Sequence, residues 1–224
     1  MMGSGKSTVG KLLGKALTYP LLDSDGLIQQ LAGQSIKEIF ETEGEEAFRD
    51  METEVLQQLM PFKACVIATG GGVVLRRKNW GYMHHGVVVW LNGSPELLAR
   101  RTSRDGLKSR PLLGGKADQE QQGEDAYQQS LERLTRILEE RKHQYAVADV
   151  MVPLEAGPSS REAEAGASTA VVTYRVLKAL KERLQKDAQE REEARNFEIK
   201  GGNDVPQTMR VMPSPAAGAT QNEE

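Results

Sequence analysis

The feature that most constrains the fold is a glycine-rich segment that runs directly into an amphipathic helix. Residues 3–8 read Gly-Ser-Gly-Lys-Ser-Thr. The apolar residues that follow at helical spacing are Val9, Leu12, Leu13 and Leu17. Glycines let backbone N–H groups turn inward around phosphate oxygens, and the helix start adds its positive end. The segment therefore predicts a phosphate-binding loop, and a flexible glycine-serine leader is the alternative.

Each residue type in such a loop has a chemical task. Lys6 would reach the β- and γ-phosphates of a nucleotide, and the hydroxyl of Ser7 would coordinate Mg²⁺. The loop residues that we expect to bind ATP are Gly3, Ser4, Gly5, Lys6, Ser7 and Thr8.

The complete loop pattern also needs a glycine five residues before Gly5, which falls one position ahead of Met1. The apolar strand that should precede that glycine is absent from this sequence too. In an open α/β sheet this strand lies in the interior, so its absence would leave two inner strands with unpaired backbone groups. We therefore expect the sequence to be a fragment of a longer protein.

Short apolar runs alternate with helical patterns along most of the chain, which is typical of a parallel sheet covered by helices. The predicted strands are residues 20–23, 64–69 and 87–91, with a weaker candidate at 150–154. This alternation predicts an α/β fold.

Changes of composition divide the chain further. We expect a catalytic domain at 1–155, a linker at 156–168, an amphipathic helix at 169–195 and a disordered tail at 196–224. The helix would present one apolar stripe, made of Val172, Val176, Leu180 and Leu184. Within the domain, residues 103–124 are rich in Gly, Gln, Asp and Lys, which indicates a functional or disordered loop.

Charge and hydropathy exclude two classes of partner. The formal net charge is −3, with acidic and basic residues interspersed, so the sequence lacks the broad positive field of a nucleic-acid binder. No run of 18 or more apolar residues is present, so we expect no membrane span. No targeting peptide precedes the glycine-rich segment in this sequence.

Two carboxylates follow the first predicted strand. Asp23 and Asp25 stand at its carboxyl end, where open parallel sheets bind ligands. Asp23 is placed to approach Mg²⁺, and Asp25 can face a second ligand. An aspartate that only caps the next helix is the alternative.

Taken together, these motifs and three others resemble the shikimate kinase family. The other motifs are Phe48-Arg49, the run from Ala68 to Gly72 (Ala-Thr-Gly-Gly-Gly) and the run from Arg110 to Leu113 (Arg-Pro-Leu-Leu). They stand in the family order across residues 1–155, and residues 79–84 resemble the plant and algal branch. The resemblance implies a three-layer P-loop kinase fold of the nucleoside-monophosphate-kinase type, with its first strand missing here.

The same resemblance implies transfer of the ATP γ-phosphoryl group to the 3-hydroxyl of shikimate, with Mg²⁺ as cofactor. Arg49 and Arg141 match the arginines that bind the shikimate carboxylate, which suits their planar, bidentate guanidinium groups. Asp25 matches the residue that binds the ring hydroxyls and orients or deprotonates the attacking one. The implied shikimate site is Asp25, Arg49, Gly70, Gly71, Gly72 and Arg141.

On the nucleotide side, the resemblance makes residues 103–124 a lid that brings Arg110 to the transferring phosphoryl group. Arg101 matches the arginine that stacks on adenine, with Arg100 as the alternative. The implied catalytic residues are Lys6, Asp25 and Arg110, and the implied metal site is Ser7 and Asp23.

Two alternatives stay open on the sequence alone: another small-molecule P-loop kinase, such as a gluconate kinase, and a non-catalytic relative that keeps the fold. The implied partners are ATP and shikimate. We expect a monomer, with an oligomer as the alternative. The implied location is a plastid if the source is a plant or alga, and otherwise the cytoplasm.

Overall fold

A computed structural model describes residues 1–104, 124–157 and 165–201. The chain divides into two units, Met1–Arg183 and Leu184–Glu224. The first unit holds all strands found in the described ranges. The described part of the second unit is helical.

Helices and strands alternate along the chain. The helices are α1 (Lys6–Leu17), α2 (Ser24–Ala32), α3 (Ile36–Thr42), α4 (Gly44–Leu59), α5 (Arg77–Met83), α6 (Pro95–Arg104), α7 (Glu124–Tyr145) and α8 (Thr169–Gly201). The strands are β1 (Leu21–Asp23), β2 (Val66–Ala68), β3 (Val89–Asn92) and β4 (Val150–Pro153). A short 3₁₀ turn covers Val73–Leu75.

The strands form two parallel pairs, β1 with β2 and β3 with β4. Within the described ranges, no strand joins β2 to β3. A cleft borders the segment that follows β2 on one side and β3 on the other. The predicted parallel α/β fold is confirmed.

All four predicted strands are present, with small shifts in their bounds. The second begins at Val66 instead of residue 64, because Ala64 adopts a left-handed conformation with φ of 51° that a strand cannot accommodate. The third begins at Val89 and extends to Asn92. Just before it, the backbone N–H of Val88 donates to the side chain of Asp149, 2.8 Å away, instead of joining the ladder.

Two apolar clusters hold the first unit together. The larger one joins α1, both strand pairs, α6, α7 and the start of α8, with Leu98, Leu134 and Leu154 fully buried. The smaller one joins α2, α3 and α4 through Ile28, Ile39 and other apolar side chains. Since α4 also carries polar residues toward the segment after β2, the smaller cluster fixes one wall of the site described below.

The predicted apolar stripe of helix α8 is buried at its start and exposed at its end. Val172 and Val176 are each 1% exposed, whereas Leu184 is 57% exposed and belongs to the second unit. Within that second unit, an ion pair joins Lys186 and Glu190 at 3.6 Å. The helix continues to Gly201, six residues beyond the predicted end.

Several predictions fall outside the described residues. They are residues 105–123 of the predicted lid, 158–164 of the linker and 202–224 of the tail. The predicted domain boundaries therefore stay predictions. In the part of the chain that is described, no helix is both long and apolar enough to cross a bilayer.

Candidate active site

The glycine-rich segment forms a tight turn at the start of α1. Gly5 has a φ of 77°, a left-handed conformation that glycine adopts without the penalty of a Cβ atom. The ammonium group of Lys6 and the hydroxyl of Ser4 both donate to the backbone carbonyl of Met1, at 2.7 and 2.8 Å. The Lys6 side chain therefore folds back along its own loop, with its charge held at the helix start.

Helix α6 packs against this loop. A Cβ atom at Gly3 would lie 2.9 Å from the carbonyl oxygen of Leu98 and 3.0 Å from the methyl group of Thr102. The loop can approach α6 this closely only because residue 3 has no side chain.

Ser7 and Asp23 meet at the same end of α1. The Ser7 hydroxyl donates to one carboxylate oxygen of Asp23 at 2.8 Å, in an exposed position. The other Asp23 oxygen accepts from the backbone N–H groups of Asp25 and Gly26, at 3.2 and 3.5 Å, and so caps α2. Asp23 therefore combines the capping role with a position beside Ser7.

This pair of oxygen donors suits Mg²⁺, which binds a few protein oxygens together with waters and phosphate oxygens. In the described ranges no group of three or more histidine, cysteine or carboxylate side chains could hold a metal by itself. The residues thus fit a metal that arrives with a nucleotide.

A buried ion pair lies on α4. The Arg49 guanidinium donates to Glu52 over a short distance and to Glu45 at 2.8 Å. Arg49 is 4% exposed and Glu52 is 2% exposed. The i,i+3 and i,i+4 spacing places both carboxylates on the Arg49 face of the helix, so the guanidinium is held rigidly.

The glycine segment 70–72 lies directly on these charged groups. A Cβ atom at Gly70 would come within 2.6 Å of a Glu52 oxygen and 2.8 Å of an Asp25 oxygen, and one at Gly72 would overlap the Arg49 guanidinium. On the other side, Arg141 and Tyr145 of α7 donate to the carbonyl of Gly71, at 3.5 and 2.6 Å. Three predicted shikimate contacts, Asp25, Arg49 and Arg141, thus surround one backbone segment.

Buried polar atoms without a partner concentrate at this point. Among the described residues, such atoms include Asp25 Oδ1, Glu52 Oε1, Arg49 Nε and Arg141 Nε. Buried polar atoms are normally hydrogen-bonded, and an unpaired one costs about 1–3 kcal/mol. Two carboxylate oxygens and two guanidinium N–H groups left unpaired around a glycine segment indicate a site for a polar ligand.

Two carboxyl groups, Asp25 and Glu52, share the site with its arginines. Burial and the neighbouring Asp23 raise the pKa of Asp25, while the positive charges of Lys6 and Arg49 oppose the change. Burial also raises the pKa of Glu52, against the pull of Arg49. Lys6 of the phosphate loop and Arg49 of the pocket therefore act on the same carboxyl group, Asp25.

Three residues that were predicted to bind the nucleotide are not tested by the contacts described above. Arg101 lies on α6, and its guanidinium donates to the carbonyl groups of Ala165 and Ala167 at 3.0 to 3.2 Å. Thr8 is exposed on α1. Arg110 lies outside the described residues. The roles of all three stay predictions.

Two site residues escaped the sequence analysis. Glu52 follows Arg49 by three positions and Tyr145 follows Arg141 by four, so each shares a helix face with a predicted arginine. That spacing was the available signal. Neither residue type suggested a role by itself, because a helical glutamate is usually a solvated charge and a tyrosine is usually packing.

The comparisons with known proteins settle the family. The family model described as shikimate kinase matches residues 2–163. The shikimate kinase of Gloeobacter violaceus is 49% identical over 152 residues, which cover 68% of this chain and 78% of that protein. The chain belongs to the shikimate kinase family.

A plant relative and a solved structure agree with this membership. The chloroplastic shikimate kinase of Solanum lycopersicum is 45% identical over 179 residues, which cover 79% of this chain and 58% of that protein. The shikimate kinase of Acinetobacter baumannii, solved in complex with shikimate, aligns with a TM-score of 0.63 and 36% identity. That alignment covers 80% of this chain and 88% of the other. The predicted P-loop kinase fold is thereby confirmed.

Proposed function

We propose that this shikimate kinase family member transfers the γ-phosphoryl group of ATP to the 3-hydroxyl of shikimate, giving shikimate 3-phosphate and ADP. One observation carries the proposal: Asp25, Arg49 and Arg141 converge with unpaired polar atoms on the glycine segment. Shikimate has a carboxylate and three hydroxyl groups on a small ring, and these are the groups that guanidinium and carboxylate side chains recognise.

On the substrate side, Arg49 and Arg141 bind the carboxylate and Asp25 binds the ring hydroxyls. The raised pKa of Asp25, caused by burial and by Asp23, makes this carboxylate a better proton acceptor for the attacking hydroxyl. Alignment of that hydroxyl contributes at least as much to catalysis as proton acceptance does, since phosphoryl transfer depends mainly on positioning and charge stabilisation. Because Gly70 and Gly72 have no side chains, their backbone lies directly against the Asp25, Glu52 and Arg49 groups that would contact the ring.

On the nucleotide side, the loop residues Gly3 to Thr8 bind the ATP phosphates. Lys6 stabilises the charge on the transferring group, while Ser7 and Asp23 hold Mg²⁺, whose positive charge neutralises the phosphate oxygens when it is bound. Support comes from the contact between the Ser7 hydroxyl and the Asp23 carboxylate. Arg110 would add a second positive charge and Arg101 would contact adenine, as the family resemblance implies.

The location and assembly of the protein are proposals of the same kind. The names of the tomato and rice relatives place those proteins in the chloroplast, whereas the cyanobacterial relatives carry no such term. We propose a plastid location if the source is a plant or alga, and a monomer in solution.

The test is an ADP-release assay with shikimate, quinate and gluconate, on the purified protein and on a matched pair of arginine variants. Arg49→Lys keeps the charge but loses the planar fork, so we expect the KM for shikimate to rise roughly 10- to 100-fold with the KM for ATP unchanged. Arg76→Lys is the control. Arg76 also pairs with acids of α4, Glu46 and Asp50, but those partners are exposed.

For the control we expect less than about a twofold change, since exposed ion pairs contribute little. Turnover of gluconate at the rate of shikimate would contradict the substrate assignment. An unchanged KM for shikimate in Arg49→Lys would remove Arg49 from the site.

A further inference from the structure

The carbonyl group of Gly71 is held differently from those on either side of it. The carbonyl of Gly70 accepts from the backbone N–H of Val73 at 3.5 Å, and that of Gly72 accepts from Leu75 at 3.0 Å. The carbonyl of Gly71 accepts instead from two side chains of α7, the hydroxyl of Tyr145 at 2.6 Å and the guanidinium of Arg141 at 3.5 Å. The central peptide of the glycine segment therefore depends on a distant helix.

This dependence matters because of peptide geometry. A trans peptide is planar, so the carbonyl of Gly71 and the N–H of Gly72 point in opposite directions. Holding the Gly71 carbonyl toward α7 turns the Gly72 N–H away from α7. Glycine has no side chain to limit its backbone, so an outside contact must select this orientation. Gly72 is also the residue that packs on the Arg49 guanidinium.

The surroundings of Tyr145 hold its hydroxyl in place as a hydrogen-bond donor to Gly71. It is 5% exposed, and its ring stacks on Trp90 with 5.6 Å between ring centroids and 16° between planes. Burial raises the pKa of its phenol group, with Arg141 opposing the change, so the hydroxyl keeps its proton at neutral pH. A phenol hydroxyl can donate one hydrogen bond, and here the Gly71 carbonyl accepts it.

Arg141 is a weaker partner for the same carbonyl. Its bond to Gly71 is 0.9 Å longer than that of Tyr145, the difference between 3.5 and 2.6 Å. Its Nε is buried and has no partner among the described residues. When Arg141 turns toward an anionic ligand, Gly71 keeps its hydrogen bond from Tyr145, so no buried carbonyl is left unpaired.

We propose that Tyr145 is a positioning residue for the shikimate pocket: it fixes the Gly71–Gly72 peptide and leaves the Arg141 guanidinium available to the substrate carboxylate. This inference rests on the proposed function. It assigns to Tyr145 an effect on shikimate binding and none on the nucleotide, because its hydroxyl donates to the glycine segment and its ring stacks on Trp90.

Tyr145→Phe tests this role, since it removes the hydroxyl and keeps the ring stacked on Trp90. We expect the KM for shikimate to rise roughly 3- to 10-fold. The kcat and the KM for ATP should stay within about twofold, as expected when binding is lost equally from ground and transition states. Titration calorimetry with shikimate alone should show the same loss of affinity. Tyr82→Phe is the matched control, because its hydroxyl donates to Gln57 at 3.4 Å, and Gln57 lies outside the pocket.

A Tyr145→Phe enzyme with unchanged shikimate affinity would overturn the inference. So would equal losses for shikimate and ATP, which would mark a general structural role. A Tyr82→Phe enzyme that matched Tyr145→Phe would have the same meaning. If the unmodified protein bound no shikimate, the proposed function would fail first and this inference with it.

Discussion

The two ends of the candidate site are built in opposite ways. The phosphate end comes from the contiguous residues 3–8 and Asp23, and its Ser7 hydroxyl is exposed. The end that we propose binds shikimate, called the shikimate end below, draws on α2, α4, the glycine segment and α7, and its Arg49, Glu52 and Arg141 are each at most 9% exposed. A short stretch of backbone defines the first end, whereas the packing of the whole core defines the second.

Because of this difference, substitutions at one end should mainly change the catalytic rate, and substitutions at the other should mainly change the stability of the fold. The charged side chains at the phosphate end, Lys6 and Asp23, are half-buried, so changing one should affect catalysis more than folding. Charges at the shikimate end are buried and balance one another, and an unbalanced buried charge is strongly destabilising. Substitutions in the two ends should therefore affect different measurements.

The largest effect should follow removal of Glu52. Glu52→Ala leaves the buried Arg49 guanidinium with Glu45 as its other carboxylate, and Glu45 is itself 53% exposed. We expect the free energy of unfolding to fall by about 3–5 kcal/mol, measured by urea denaturation. Glu54→Ala is the control on the same helix, since Glu54 is exposed and accepts a hydrogen bond from Gln58 at 3.2 Å. Equal losses of unfolding free energy in the two variants would show that the Arg49–Glu52 ion pair contributes no more to stability than an exposed glutamate does.

Next in size should be the loss of Lys6. Lys6→Met removes the loop's positive charge, so we expect kcat to fall roughly 10²- to 10³-fold, as for other groups that stabilise transition-state charge. Stability should change by about 0.5–1.5 kcal/mol, the value of its hydrogen bond to Met1. Lys11→Met, on an exposed position of the same helix, should leave both quantities unchanged. A Lys6→Met protein that retained full kcat would end the assignment of this loop to phosphate binding.

The same contrast explains what could be predicted from sequence. The tight turn at the start of α1 was predictable because the glycines and the helical spacing that form it lie within one short stretch of sequence. The α/β class was predictable because strand and helix periodicities alternate. The start of β2 was missed, since strand propensity does not report the left-handed conformation that Ala64 adopts.

The shikimate end could be predicted only in part. Arg49 and the glycine triplet were found through family motifs, but the burial of Glu52 against Arg49 depends on how α2, α3 and α4 pack together. Tyr145 lies 74 residues from Gly71 along the chain, and no local pattern connects them. Contacts between distant segments are set by tertiary packing, so their roles emerge only in three dimensions.

The smallest effect, and the sharpest test of the comparison, concerns two glycines. Gly72→Ala would place a methyl group on the Arg49 guanidinium, so the segment or the arginine must move. We expect a loss of about 1–3 kcal/mol in the free energy of unfolding, the usual cost of overpacking. The KM for shikimate should rise as well, because the displaced guanidinium no longer meets the carboxylate. Thermal denaturation and the ADP-release assay measure the two effects.

Gly81→Ala supplies the matched control in α5, where an added Cβ meets nothing within 4 Å. Because alanine is favoured over glycine inside a helix, this variant should gain roughly 0.5–1 kcal/mol. Opposite signs at positions 72 and 81 would show that the close approach of backbone to Arg49 is a feature of the site. A neutral Gly72→Ala would mean that the pocket can relax around a methyl group, and the rigidity inferred for the shikimate end would then be wrong.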